Sequence, residues 1–297
     1  MSEGAFFAVL VVDGALAGAV YALIALAFVV VYKASRMINF ALGEWVLLGT
    51  RLVAAGVHTA GVGLLAAVVL ACAGMVAVAV AFSRGILRHV TNQPVIALIM
   101  VSIGLGILMR GSIPVVFAGV PGAIPLPTLD ADIAVFGVLF AIEKLVAAVI
   151  AAVAIVALTW FFQASRTGVA LRAVASDRQA ASAMGIDVEL HFTIAWALAG
   201  ALSVLAGVLW TAVSGGGFGI EVLGLKVFPI VIIGGLDSIP GTIVAAIAVG
   251  VLESLAAGYV DPVVGGGFSH VASYLVLIAV LFVRPYGVFG RPDIARV

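Results

Sequence analysis

A few polar side chains interrupt long apolar stretches of this sequence, and they are its first candidates for contact with a polar solute. The string INFALGEW, residues 38–45, contains an amide and a carboxylate, Asn39 and Glu44. A charged side chain at the centre of a membrane helix costs about 3 kcal/mol on insertion scales. Glu44 should therefore face the protein interior, water or a partner, and the segment predicts the lining of a translocation path by Asn39, Phe40, Gly43 and Glu44.

The same residues allow a second interpretation. Asn39 would cap a helix, and Glu44 would pair with Lys33 or Arg36 at the aqueous boundary. Asn39 and Glu44 are about 140° apart around an ideal helix, so the two side chains need not share a face. Both interpretations stay open.

The second group of candidate residues lies in GGLDSIPG, residues 234–241. Its glycines permit close approach of backbone, and Pro240 can open a helix. Broken helices within a membrane expose backbone amides and carbonyls to a substrate. The string therefore predicts further path residues, namely Gly234, Gly235, Asp237 and Ser238. The alternative is that Asp237 lies in a wet loop, and Glu253, in an apolar run, raises the same question.

The elements that must position these residues are membrane helices. The 297 residues are 65% hydrophobic and 9% charged, and mean hydropathy is +1.34. A water-soluble domain of this length could not bury so much apolar surface. Because lipid satisfies no backbone polar group, the apolar runs should be helices, and residues 1–297 should form one all-α transmembrane domain. We predict eight spans, near residues 8–32, 37–56, 60–82, 94–109, 142–163, 191–213, 227–258 and 270–283.

The stretch 227–258 is longer than one span needs, which indicates a broken or re-entrant pair. Short cytoplasmic loops collect positive charge, so the cations orient the chain. With the amino terminus outside and the carboxyl terminus cytoplasmic, the cytoplasmic cations are Lys33, Arg36, Arg84, Arg88, Arg166, Arg172, Arg178, Arg284, Arg291 and Arg296. Only Arg51, Arg110, Lys144 and Lys226 then fall on the outer side of the membrane.

Other features are weaker. The amino terminus lacks a basic region, so we expect a retained first span rather than a cleaved signal peptide. Loops at 116–132 and 214–226 should face the exterior, either as plain connectors or as surfaces for a soluble partner. ALAGA occurs at 15–19 and again at 197–201, a repeat that is compatible with inverted halves.

One stretch has the charged residues and the helix-cap residues that are typical of a short helix exposed to water. SRTGVALRAVASDRQAASAMGID, residues 165–187, carries three arginines and two aspartates. Ser176 and Gln179 match a capping box, Asp177 suits a helix amino terminus, and Gly185 suits a left-handed stop. About eight residues between them would form a rod of roughly 12 Å. This short helix either packs beneath its own bundle or docks a cytoplasmic partner.

Several strings together resemble one family. QAASAMG at 179–185 is similar to the cytoplasmic Glu-Ala-Ala, three residues, Gly loop of ABC importer permeases. YALIALAFVVVYKASRMINFALGEW (21–45), VLLG (46–49), SRTGVALRAVASDRQAASAMGI (165–186), GGLDSIPGT (234–242) and RPYGVFGRP (284–292) resemble the LivH-type permeases of branched-chain amino acid ABC importers, nearly from end to end. Three positions depart from the family pattern: Gln179 replaces glutamate, Leu42 replaces histidine, and Asp237 stands where glycine is common.

The resemblance implies a coupling helix that contacts an ATPase through Asp177, Gln179, Ala180, Ala181, Met184 and Gly185. It implies a second homologous permease subunit (LivM-like), two ATP-binding subunits (LivG-like and LivF-like), an extracytoplasmic binding protein and a bacterial inner-membrane location. ATP and Mg would bind to the partner ATPases and no cofactor to this chain. Leucine, isoleucine and valine are the implied substrates, with urea, short amides, other amino acids or aromatic acids as alternatives, and the pore is heterodimeric or homodimeric.

Missing motifs argue against other classes. No G-x-x-x-x-G-K-[ST] string is present, so the chain lacks a nucleotide-binding loop. The four histidines have no metal-ligand spacing, no G-x-S-x-G string occurs, and Cys72 is the only cysteine. These observations predict no catalytic residue, no metal and no nucleic-acid partner. A stand-alone channel or secondary carrier is the main alternative, and a membrane enzyme is the third.

Overall fold

The computed structural model describes residues 3–90, 93–124, 132–135, 138–214 and 220–290. Parts of the expected loops at 116–132 and 214–226, and the tail cations Arg291 and Arg296, lie outside these residues. The described chain forms a helical bundle, as the composition predicts. The long helices are α1 (Glu3–Ser35), α3 (Leu64–Phe82), α5 (Val95–Val116), α6 (Ile142–Ala164), α9 (Val188–Ser214) and α11 (Ile239–Leu255).

The remaining elements are shorter. The apolar helices α2 (Leu42–His58, 17 residues) and α10 (Ile220–Gly234, 15 residues) are called the half-length helices below, because neither continues into a longer span as α11 does to Val264. Helix α13 (Phe268–Val283) is the last helix. Polar helices α7 (Arg166–Ser176) and α8 (Arg178–Ala183) follow α6. Helices α3 and α11 continue through π turns, Ser83–Leu87 and Ala256–Val260, into short α4 (Arg88–Val90) and α12 (Asp261–Val264). An antiparallel hairpin, β1 (Asp132–Val135) and β2 (Val138–Ala141), is a small addition to the all-helical expectation.

The observed helices differ from the predicted eight spans in the number of full-length spans and in where the second one begins. Among the described residues, six helices are long and apolar enough to cross a membrane, and α10 and α13 are shorter apolar helices. The stretch 227–258 is divided at residues 235–238 into α10 and α11, which confirms the predicted break. The span predicted at 37–56 is helical only from Leu42, because residues 36–41 form a non-helical segment in which Arg36 adopts a positive φ of 54°.

The bundle contains two inverted halves. In each half a long helix is followed by a half-length helix and another long helix, α1–α2–α3 and α9–α10–α11. Helix α1 packs on α11, α9 packs on α3, and the half-length helices α2 and α10 contact each other. The two glycines of the ALAGA repeat lie at equivalent positions, because Gly18 packs α1 against α11 and Gly200 packs α9 against α3. A Cβ on Gly18 would lie 2.8 Å from Ile247 Cα, and a Cβ on Gly200 would lie 3.2 Å from the Met75 carbonyl oxygen.

Gly14 and Gly18 of GALAG, residues 14–18, have small-xxx-small spacing, and Gly14 lies at the closest of these helix contacts. A Cβ on Gly14 would lie 2.6 Å from the Gly250 carbonyl oxygen of α11. Small residues of this spacing let two backbones approach, and dispersion contacts then stabilise the pair. Helix α1 is buried mainly in its second half, with Val20 through Val31 all inaccessible or nearly so.

Charge separates the two ends of the bundle. The end that we call the polar end contains α7, α8, residue 36 and the turn at 235–238, and it holds Lys33, Arg36, Arg166, Arg172 and Arg178. Arg84 lies there too, because Ser83 beside it hydrogen-bonds Thr193 near the start of α9 at 2.8 Å. At the opposite end, Arg51 donates to the Val120 carbonyl and Lys144 pairs with Asp13. This asymmetry matches the one on which the predicted orientation rests.

Candidate functional site

The segment between α6 and α9 forms two consecutive capped helices. Ser165 caps α7, accepting a hydrogen bond from the Gly168 amide at 2.8 Å. Asp177 then caps α8, accepting from the amides of Gln179 at 2.8 Å and Ala180 at 3.0 Å. The predicted cap was Ser176, and this prediction is wrong: Ser176 is the last residue of α7. A carboxylate that accepts two amides at the positive end of a helix is the better cap.

Helix α8 ends as predicted at Gly185, whose φ is +82°. The Ile186 amide donates to the Ala181 carbonyl and the Gly185 amide to the Ser182 carbonyl, both at 3.0 Å. These two bonds define a Schellman motif, which satisfies the last carbonyls of the helix. The helix is six residues long rather than about eight.

Most of α8 is open to an external partner. Ala181 is buried against the bundle, whereas Gln179 and Ala180 are exposed. Met184, at the end of the helix, is 83% exposed. A flexible, polarisable methionine is well suited to a protein interface. The six residues predicted for coupling thus form one small projection, with a single residue anchored below it.

Arg178 attaches α8 to α1. Its guanidinium donates to the Ser35 carbonyl at the end of α1 and lies over the Phe192 ring, 4.9 Å from the centroid. Burial, assisted by the Arg36 guanidinium, lowers the pKa of Arg178. A displacement of α8 therefore acts directly on the carboxyl end of α1, the central helix of the bundle.

The predicted path residues of the 38–45 string lie at the start of α2. Asn39 is buried, and its Oδ1 accepts from the Ala41 amide at 3.0 Å, forming a local turn before α2. Its Nδ2 is buried with no partner among the described residues. Ser102 of α5 accepts from the Phe40 amide at 3.3 Å and donates to the Ile38 carbonyl at 3.1 Å. Asn39 therefore forms a turn before α2, although it is not the residue that caps the helix.

Glu44 has a partner that neither interpretation named. Its carboxylate accepts from Arg110 of α5, rather than from Lys33 or Arg36. The Glu44 side chain is 5% exposed and that of Arg110 is 58% exposed. Arg110 was expected outside the membrane, yet α5 places it within a candidate span.

The two half-length helices cross at paired glycines. A Cβ on Gly224 would lie 2.8 Å from both the Cα and the N of Gly43. Beside this crossing Phe40 stacks on Phe228 with ring centroids 4.8 Å apart. Phe40 remains 38% exposed. The predicted residues Phe40 and Gly43 are therefore at the junction of α2 with α10.

The GGLDSIPG residues form the turn at the polar end. A Cβ on Gly234 would lie 2.6 Å from the Gly241 carbonyl oxygen, and Gly235 has a positive φ of 96°. The Val288 amide donates to the Ile233 carbonyl at 2.8 Å, so the RPYGVFG string packs on the turn. Ser238 caps α11 by accepting from the Gly241 amide at 3.1 Å.

Asp237 and Ser238 line a cleft of about 700 Å³. Its cationic lining residues are Lys33, Arg36 and Arg172. The structure thus brings Asp237 and Ser238 to the polar end and Phe40 and Gly43 to the α2–α10 junction. Asn39 lies in the turn before α2, and Glu44 lies on α2 next to Gly43 and pairs with α5. The predicted path residues are therefore two separate groups rather than one site.

A third polar cluster lies where α1, α10 and α11 meet. Tyr21 donates to Glu253 Oε2 at 2.9 Å, and Lys226 donates to the same oxygen at 3.0 Å. The Lys226 and Glu253 side chains are 11% and 10% exposed. The sequence marked Glu253 but not its partners, although a second charge in an apolar stretch, Lys226, was a signal that could have found the pair.

Comparison with known proteins agrees with this geometry. The family model described as branched-chain amino acid transport system, permease component, matches residues 10–284. The chain is 29% identical over 96% of both chains to the high-affinity branched-chain amino acid transport system permease protein LivH of Salmonella typhimurium, and likewise to that of Escherichia coli. It is 30% identical, with the same coverage, to the corresponding protein BraD of Pseudomonas aeruginosa. No solved structure matches.

The match extends from the first half of α1 to the end of α13 and so includes both inverted halves and α8. The bundle of apolar helices is that of a multi-pass membrane protein. The chain belongs to the family of permease components of branched-chain amino acid transport systems.

Proposed function

We propose that this chain is one permease subunit of an ABC importer that carries branched-chain amino acids. The observation that carries the proposal is α8, a projection capped at both ends, exposed on its outer side and attached through Arg178 to α1. An isolated helix of six residues would not be stable in water, so its caps and its anchor serve to hold an exposed surface in place. A channel or secondary carrier would need no such surface.

The polar end faces the cytoplasm in this proposal. Lysine and arginine collect on the cytoplasmic side of membrane proteins, and the polar end holds most of the described cations. An ATPase would contact Asp177, Gln179, Ala180, Met184 and Gly185, with Ala181 as the buried anchor. The LivG-like and LivF-like subunits would hydrolyse ATP, so this chain itself performs no catalysis and holds no cofactor.

The opposite end faces the exterior and receives an extracytoplasmic binding protein. Its described loops include residues 59–63, 117–124 and 265–267. The substrate then passes the junction of α2 and α10, where Phe40, Gly43 and Glu44 lie, and a second, LivM-like permease closes the other side of the path. Asp237 and Ser238 line the cytoplasmic cleft beyond it.

The test begins with purification of the chain from its native membrane in mild detergent, followed by mass spectrometry of what accompanies it. The proposal predicts a second permease and two ATP-binding subunits. The co-encoded binding protein is then titrated with leucine, isoleucine, valine, urea and an aromatic acid. Purification of the chain alone argues against the importer, and binding of urea but no branched-chain amino acid argues against the substrate.

A further inference from the structure

The Arg110 side chain is 58% exposed, and its position along the helices places it within the hydrocarbon layer of the membrane. It pairs with Glu44, the third residue of α2, and α2 runs from there to His58 at the opposite end. The fourteen residues between Glu44 and His58 correspond to about 21 Å along the helix axis at 1.5 Å per residue. The hydrocarbon core is about 30 Å thick, so the ion pair lies well inside it.

The outward face of Arg110 does not suit lipid. Helix α5 packs mainly on α2, and its other face is open, with Ile107 68% exposed one turn before Arg110. A guanidinium facing hydrocarbon is strongly unfavourable, and the bond to buried Glu44 keeps it from reaching towards the aqueous surface. The face around Arg110 must therefore border water, a polar solute or another chain.

The guanidinium has unused hydrogen-bonding capacity. Arginine carries five N–H donors, and the one partner recorded for Arg110 among the described residues is Glu44. Glu44 is 5% exposed and Arg110 is 58% exposed, so Glu44 neutralises and orients the cation from its buried side and leaves guanidinium surface accessible. Such a planar fork matches a carboxylate better than a lysine ammonium does.

We propose that Arg110 binds the carboxylate of the transported amino acid in the translocation path, and that Glu44 positions it. Ile107 supplies an aliphatic surface beside the cation, as an amino acid with a branched hydrocarbon side chain requires. This inference rests on the proposed function and adds to it a contact that explains why the solute is a carboxylate.

The first experiment measures access to position 110 in the reconstituted complex. Cys72, the single cysteine, is changed to Ala, and Arg110→Cys is then treated with a membrane-impermeant, charged methanethiosulfonate. The inference predicts modification, slowed by saturating leucine together with the binding protein during ATP turnover. The matched control is Val153→Cys in the middle of α6, where Val153 is 64% exposed among other aliphatic residues and should react slowly.

The second experiment measures ATP-driven leucine uptake by the same complex. Arg110→Gln should reduce uptake about tenfold or more, because it removes a charge-assisted bond, and Arg110→Lys should retain an intermediate rate. Uptake is normalised to the amount of assembled complex, measured by size-exclusion chromatography. Treatment of Arg110→Cys with the aminoethyl reagent should restore part of the uptake, whereas a neutral methyl reagent should not.

Lys144→Gln removes a half-exposed ion pair with Asp13 and serves as the control for general loss of charge. Normal uptake by Arg110→Gln, or an unreactive Arg110→Cys in the assembled complex, would overturn the inference alone, the latter because a partner chain then covers the residue. A wild-type complex that takes up no branched-chain amino acid would overturn the proposed function and the inference together.

Discussion

Among single residues, the loss of either partner of the buried Lys226–Glu253 pair should strongly destabilise the protein. Removing one partner of a buried ion pair leaves an uncompensated charge and destabilises by about 3–5 kcal/mol. Lys226→Met should therefore lower the thermal midpoint of the purified chain markedly. Replacing both residues, Lys226→Met with Glu253→Leu, should restore much of the loss, because no buried charge then remains unpaired.

The Lys144–Asp13 pair is the matched control for this prediction. Its side chains are 32% and 37% exposed, and exposed ion pairs contribute about 0–1 kcal/mol. Lys144→Met should accordingly shift the midpoint little. Equal shifts for Lys226→Met and Lys144→Met would show that the buried cluster is not special.

The crossing of α2 and α10 gives a second prediction at this scale. Gly224→Ala places a Cβ 2.8 Å from the Gly43 backbone, and such overpacking costs about 1–3 kcal/mol. The thermal midpoint should fall, and uptake should fall with it because the half-length helices separate. Gly85→Ala is the control, since a Cβ there meets no atom within 4 Å. Equal stability of the two variants would contradict the close crossing.

Sequence reasoning found single polar residues but not their partners. Glu44 and Glu253 stand out because each is a charge in an apolar stretch, and both are buried. Arg110 lies 66 positions from Glu44, and Tyr21 lies 232 positions from Glu253. Such pairings depend on which helices are neighbours, and local spacing carries no information about that.

At the scale of elements, the Schellman stop of α8 should be needed for coupling. Gly185→Val forces a β-branched residue into a left-handed conformation, which is strained whatever the surrounding space. The strain should distort the end of α8 and reduce the ATPase activity stimulated by the loaded binding protein several-fold. Membrane insertion and subunit assembly should be unchanged.

Gly61→Val is the control for this change. Gly61 also has a positive φ, of 64°, with no atom near its absent Cβ, but it lies at the opposite end of the bundle. A similar loss of stimulated ATPase activity in both variants would indicate general destabilisation. Full stimulation of Gly185→Val would exclude α8 as the coupling element.

The two chain breaks show what local sequence can and cannot predict. The break at 235–238 was predictable because glycines and a proline mark it. The break at 36–41 was not, because SRMINFA contains neither residue. There the Asn39 side chain accepts a hydrogen bond from the Ala41 amide and forms a turn. Ser102 of α5 hydrogen-bonds the Ile38 carbonyl and the Phe40 amide, which have no helical partner. Tertiary contacts thus end the helix where the sequence has no helix-breaking glycine or proline.

At the scale of the whole molecule, composition was sufficient for the class and insufficient for the arrangement. A chain that is 65% hydrophobic has to be a bundle of membrane helices, and it is. The ALAGA repeat was only weak evidence for inverted halves, because alanine, leucine and glycine are frequent throughout the sequence. The equivalent contacts of Gly18 on α11 and Gly200 on α3 make the relation evident.

In the proposed function, this bundle couples ATP hydrolysis in its partners to movement of an amino acid across the membrane. The most direct measurement is uptake of radiolabelled leucine into proteoliposomes that contain the purified complex, with the binding protein outside and ATP enclosed. We expect uptake to require ATP and the binding protein and to be abolished by a non-hydrolysable ATP analogue. Uptake that proceeds equally without ATP, or by this chain alone, would contradict the proposed function.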